Sequence, residues 1–209
     1  MTRIRRAVYV ALSSFGCIVL IGLCAILTGA PLLFPSLGPT AFLVFASPQA
    51  PGASPRTTVL GHLAGVLSGL AGLAVTGLLT AAPDLTHPSW ARIGAAAVAL
   101  GLTCAAMAAL DLPHPPAGAT TLIIALGLLH TAPQLVAVLV GVVLIALLAV
   151  VINKLFGVPY PWWRFAVTAE APPRGALTKE SDDPTSRASA TSRSGRRRCR
   201  AAPRCPGPG

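Results

Sequence analysis

Two of the long apolar stretches in this chain are interrupted by the same kind of proline- and glycine-rich segment. It reads Phe34-Pro-Ser-Leu-Gly-Pro-Thr40 in one stretch and His114-Pro-Pro-Ala-Gly-Ala-Thr120 in the other. When Pro35 is laid on Pro115, Gly38 falls on Gly118 and Thr40 on Thr120. This feature narrows the possible folds sharply. Lipid offers no hydrogen bonds, so irregular backbone at membrane depth is tolerated only where protein, water or a ligand satisfies its N–H and C=O groups. Two matched breaks therefore point to one protected interior place.

The membrane setting rests on composition. Hydrophobic residues make up 54% of the chain and charged residues 11%, where a soluble domain carries roughly 25% charged; the mean hydropathy is +0.71. Between positions 7 and 152 the only charged side chains are Arg56, Asp84, Arg92 and Asp111, so the net charge of +10 sits at the ends. Basic ends predict that both termini are cytoplasmic, in a bacterial inner membrane. The excess belongs to a tail and not to a folded face, so Arg196, Arg197, Arg198, Arg200 and Arg204 are expected to contact an anionic inner leaflet, with no nucleic-acid role. Cys17, Cys24 and Cys104 fall in apolar spans and Cys199 and Cys205 in the tail, none with metal-ligand spacing to a His. No metal or cofactor is expected. The first apolar run continues to Ala30, long enough to be a membrane-crossing helix and not a cleaved leader.

Four stretches suit helices that cross a bilayer, about 20 residues each: 7–29, 57–81, 90–110 and 133–152. Two shorter apolar pieces, 40–46 and 117–130, follow the breaks. The predicted fold class is an all-α polytopic membrane bundle of two repeats, about 7–81 and 90–152, each made of span, broken segment, span. It is flanked by a basic N-terminus, 1–6, and a disordered Arg-rich tail, 165–209, with the transmembrane domain covering 7–164. The constant offset indicates an internal duplication of about 80 residues. Broken segments that cross give six crossings with inverted units; re-entrant ones give four with parallel units. Arg56 favours six and Arg92 four. Gly61, Gly65, Gly69, Gly72 and Gly77 stud the second long helix and predict close helix contact. Tyr160, Trp162 and Trp163 form an interfacial belt after Lys154.

The breaks carry the chemistry. Leu112, His114 and Pro115 each precede a proline and are pushed out of the helical region, so a helix is expected to begin at Pro116. In the first break it is expected at Pro39. Early N–H groups, those of Ala117, Gly118, Ala119 and Thr120 and of Thr40, Ala41 and Phe42, would then face the break as an anion site. Gly38 and Gly118 would let backbone approach a ligand, and Ser36, Thr40, Thr120 and Thr121 would add hydroxyls. Two dipole ends of roughly half a charge each suit a small monovalent anion. His62, His114 and Asp111 are the proton-coupling candidates, with Asp111 expected either to fix the His114 imidazole or to cap a helix end.

At these residues the chain resembles the HPP family of integral membrane proteins, through Phe34-Pro-Ser-Leu-Gly-Pro-Thr-Ala-Phe42, Pro55-Arg56, Gly61-His62, Leu112-Pro-His-Pro-Pro-Ala-Gly-Ala-Thr-Thr121, Asn153 and Tyr160-Pro-Trp-Trp163. The resemblance implies a small multi-span protein and, because some members are linked to nitrite transport, a nitrite-type substrate. The expectation is transmembrane transport of a small inorganic anion, nitrite first, with Ser36, Gly38, Thr40, His114, Gly118, Ala119, Thr120 and Thr121 contacting it and a homo-oligomer as a further expectation. The alternative is a non-transporting membrane protein that acts as an assembly partner or sensor. No nucleophile or paired carboxylate accompanies His114 and Asp111, so no enzyme is expected.

Overall fold

The computed structural model describes residues 2–85, 87 and 89–163; the expected tail, 165–209, lies outside them. The described residues form six α-helices: α1 Arg3–Thr28, α2 Leu37–Ala46, α3 Pro55–Val75, α4 Trp90–Ala109, α5 Pro116–Ala125 and α6 Ala132–Leu155, with one 3-10 turn at Pro51–Ala53. The four long ones, α1, α3, α4 and α6, are apolar enough to cross a membrane, and α2 and α5 have ten residues each. At about 1.5 Å per residue a ten-residue helix covers only half of the hydrocarbon.

Local chemistry sets most boundaries. Ser54 and Ser89 accept hydrogen bonds from the amides of Thr57 and Arg92 and start α3 and α4, as N-cap hydroxyls do. Helix α3 stops at Val75, six residues short of the expected 81. Gly77 adopts φ 71° there, and the amides of Gly77 and Leu78 turn back to the carbonyls of Ala74 and Leu73, a glycine-dependent helix stop. Helix α5 begins at Pro116 as expected. Helix α2 begins at Leu37, two residues before Pro39, because proline is accommodated within a first turn whose N–H groups have no intrahelical partner.

Side-chain contacts give the direction of each segment. Arg6 Nη2 donates to the Ala46 carbonyl at 2.6 Å, and Tyr9 meets Phe45 edge-on; α2 thus ends where α1 begins. Residues 30–46 retrace the length of α1. Likewise the second break starts beside Gly52 and Gly61, at the first turns of α3, and Gly127 at its far end abuts Arg92 at the start of α4. The chain accordingly passes along the bundle six times in alternating directions, four times as full helices and twice as a broken segment. Tyr9 Oη donates to Asn153 Oδ1 at 2.8 Å, and the Arg56 amide donates to the Trp163 carbonyl at 2.9 Å. Those contacts gather the start of α1, the start of α3 and the end of α6 at one end, together with Arg3, Arg5, Arg6, Arg56 and Lys154. The Lys154 ammonium sits 3.6 Å over the Trp162 ring there.

The two halves pack against each other in matching ways. A Cβ built on Gly61 would lie 2.9 Å from His114 Cβ, and one on Gly141 would lie 2.8 Å from Phe34 Cε1. Gly61 and Gly141 are offset as the two breaks are, and so are Phe34 and His114. In each half, then, a glycine of the third helix receives the residue before the first aligned proline of the other half's break. Gly65 and Gly69 continue this contact along α3 against Ala117 and Ile124 of α5, while Gly72 meets α4 at Ala95. The glycine face serves close packing, as its spacing predicts; Gly77 instead ends the helix.

Candidate functional site

The two breaks meet. Ser36 Oγ, just ahead of α2, lies 2.7 Å from Thr120 Oγ1 in the second turn of α5. Between them stands His62 of α3, whose Nδ1 is 2.7 Å from Thr120 Oγ1 and whose Nε2 is 3.1 Å from Thr40 Oγ1. The threonines that align in the two breaks thus flank one imidazole from opposite sides. His114 approaches the same ring, Nε2 to Nε2 at 3.2 Å, and its own Nδ1 is 2.7 Å from the Gly52 carbonyl. Ser36, Thr40, His62, His114, Thr120 and Thr121 are all buried.

The partners fix where the protons sit. A carbonyl only accepts, so His114 Nδ1 carries its hydrogen and, in the neutral ring, Nε2 is bare. His62 Nε2 must then donate, shared between His114 Nε2 and Thr40 Oγ1, which leaves His62 Nδ1 to accept from the Thr120 hydroxyl. Ser36 donates to Thr120, and Thr40 donates to the Ser36 carbonyl at 2.8 Å. The result is one polarised chain, Ser36 to Thr120 to His62 to His114 to Gly52. One further proton fits: if His62 Nδ1 is protonated, the Thr120 hydroxyl reverses toward Ser36 and the Nε2–H···Nε2 contact survives. A second would set two N–H groups against each other across 3.2 Å.

Other expected residues lie apart from this chain. Thr121 pairs with Thr103 of α4 at 2.7 Å and donates to the Ala117 carbonyl. Gly38 is exposed, and a Cβ there would meet nothing within 4 Å; one on Gly118 would make an ordinary 3.5 Å contact with Leu100. Ala119 lines an apolar groove of about 320 Å³ with Pro39, Phe42, Leu43, Pro115 and Pro116, over the outer faces of both first turns.

Two expectations need correction. Several amides thought free are bonded: Thr40 N–H to the Ser36 carbonyl, Ala117 to His114 and Gly118 to Pro115. Short local turns absorb these donors before a ligand does. Asp111 does not orient His114 either. It is exposed at φ 51° beyond the end of α4, and the Gly52 carbonyl takes the imidazole N–H in its place. Gly52 and Thr103 went unrecognised. Gly52 acts through backbone, which sequence does not display, although a Cβ there would clash with the Pro113 carbonyl. Among the described residues no cluster of three His, Cys, Asp or Glu forms around the pair.

An all-helical bundle with four membrane-length helices and two half-helices that start against each other around buried polar groups is a polytopic membrane protein. Residues 1–161 match the transmembrane region of the HPP proteins, and the chain belongs to that family. No curated protein and no solved structure shows a significant match to it.

Proposed function

We propose that this protein carries a small inorganic anion, nitrite first, across the membrane at the place where α2 and α5 begin, with one proton moving on the His62–His114 pair. The observation that carries this reading is the convergence of both breaks on one buried, singly protonatable imidazole pair. When the pair takes up its proton, the Thr120 hydroxyl turns and the Ser36 hydroxyl loses its acceptor. A freed donor beside a cationic pair is a place for a monovalent anion, since opposite charges favour each other strongly in a low-dielectric interior. Proton and anion would enter together and leave together. In the structure these polar groups are bonded to one another. The basic end, with Arg3, Arg5, Arg6, Arg56 and Lys154, faces the cytoplasm in this reading, in a bacterial inner membrane.

A second reading has its own support. The same closed network serves equally as a structural polar core in a membrane protein that assembles with a partner or senses without transporting. Nitrite uptake into proteoliposomes separates the two. Flux above that of protein-free vesicles, with co-movement of protons reported by an internal pH dye and abolished in His62→Phe, supports transport. Vesicles as tight as protein-free ones, with either direction of pH gradient, would rule it out.

A further inference from the structure

A second polar site lies at the opposite end of α5 from the histidine pair. Arg92, in the first turn of α4, is only 7% exposed. Its Nη2 donates to the Ala82 carbonyl at 3.0 Å, while its Nη1 is sealed from solvent and has no partner among the described residues. No carboxylate among the described residues forms an ion pair with it. At the end of α5 the amides of Leu126, Gly127 and Leu128 donate to the carbonyls of Leu122, Ile124 and Ile123. Gly127 stands against the guanidinium, and a Cβ there would lie 2.8 Å from Nη1; the glycine at φ 81° is what leaves the nitrogen room.

A guanidinium cannot shed its charge, and an unmet buried charged donor is costly. The N-terminal end of α4, with no acidic residue in its first turn, adds positive potential there, against the negative C-terminal end of α5. We propose that Arg92 is an oxyanion site, which holds either a small free oxyanion or the phosphate of an anionic lipid through its Nη1 edge. A planar oxyanion or a phosphate suits this fork, because guanidinium donors match oxygen pairs in geometry as well as charge. The proposal concerns binding alone and does not depend on whether the protein transports.

The test is calorimetric titration of the purified, delipidated full-length protein in zwitterionic detergent, with sodium nitrite, sodium phosphate and phosphatidylglycerol as probes. Wild type is expected to bind at least one probe, and Arg92→Gln to bind it about 10- to 100-fold more weakly, the range for loss of one or two charge-assisted hydrogen bonds. Binding of nitrite or phosphate identifies a free anion; binding of phosphatidylglycerol alone identifies a lipid. Should Arg92→Gln fail to fold, Arg92→Lys keeps the charge without the fork and is expected to bind more weakly than wild type. No binding by wild type, or equal binding by the folded variants, would overturn the proposal.

Discussion

Removal of one methyl-sized oxygen distinguishes the proton assignment from a loose cluster of polar groups. Thr120→Val preserves shape and deletes a hydroxyl that donates to His62 Nδ1 and accepts from Ser36, each at 2.7 Å. Both neighbours are enclosed, so an acceptor and a donor are stranded together. Each unmet buried group costs about 1–3 kcal/mol, which sets the expected loss at about 2–6 kcal/mol. Thr40→Val is the matched control. The Ser36 carbonyl keeps the residue-40 amide at 3.3 Å, and His62 Nε2 keeps His114 Nε2 at 3.2 Å. Nothing is stranded, so about 0.5–1.5 kcal/mol is expected, the net worth of an ordinary hydrogen bond. Denaturant unfolding of wild type and both variants in the same mixed micelles measures the difference. If Thr40→Val costs as much as Thr120→Val, the chain of donors is assigned wrongly.

Gly61→Ala is expected to cost several kcal/mol, since its Cβ would lie 2.9 Å from His114 Cβ and a packed core yields little; Gly38→Ala, into open space, is expected to be neutral, both read by thermal unfolding. In a cysteine-free background, Ser47→Cys and His130→Cys are expected to react with impermeant thiol reagents from opposite faces of the membrane, and labelling from one face would contradict six passes. Burial pushes the Tyr160 phenol up from its ordinary value of 10.0, so the folded state holds the neutral form more tightly than the unfolded state does. Its contribution is complete below pH 10 and is lost as pH rises beyond that, and Tyr160→Phe is expected to flatten this alkaline loss in a pH series of unfolding midpoints.

The larger features were legible because they are periodic or punctuated. Long apolar runs marked α1, α3, α4 and α6, paired prolines marked the start of α5, and the constant offset marked the repeated break. The meeting of Ser36 with Thr120 was implied by that repeat but not its register, since long-range pairing leaves no local trace in sequence. The fate of the amides was misread for a related reason. Sequence shows where helices stop donating to themselves, whereas the local carbonyls of Ser36, His114 and Pro115 that take over appear only once φ and ψ are set. Arg92 was visible as a lone charge near a membrane span, but its unmet nitrogen is a property of packing alone.

The repeated contact of a third-helix glycine with the opposite break has a further consequence. In one half, Gly61 and His62 face His114; at the matching places of the other stand Gly141, Val142 and Phe34. A strictly two-fold molecule would look alike from both faces of a bilayer and would have no preferred sense. Here the ionisable pair occupies only one of the two equivalent contacts, His62 from one half and His114 from the other, and its chain of donors ends at Gly52, toward the basic end. The two equivalent contacts thus differ in chemistry, and that difference gives the frame two unlike faces.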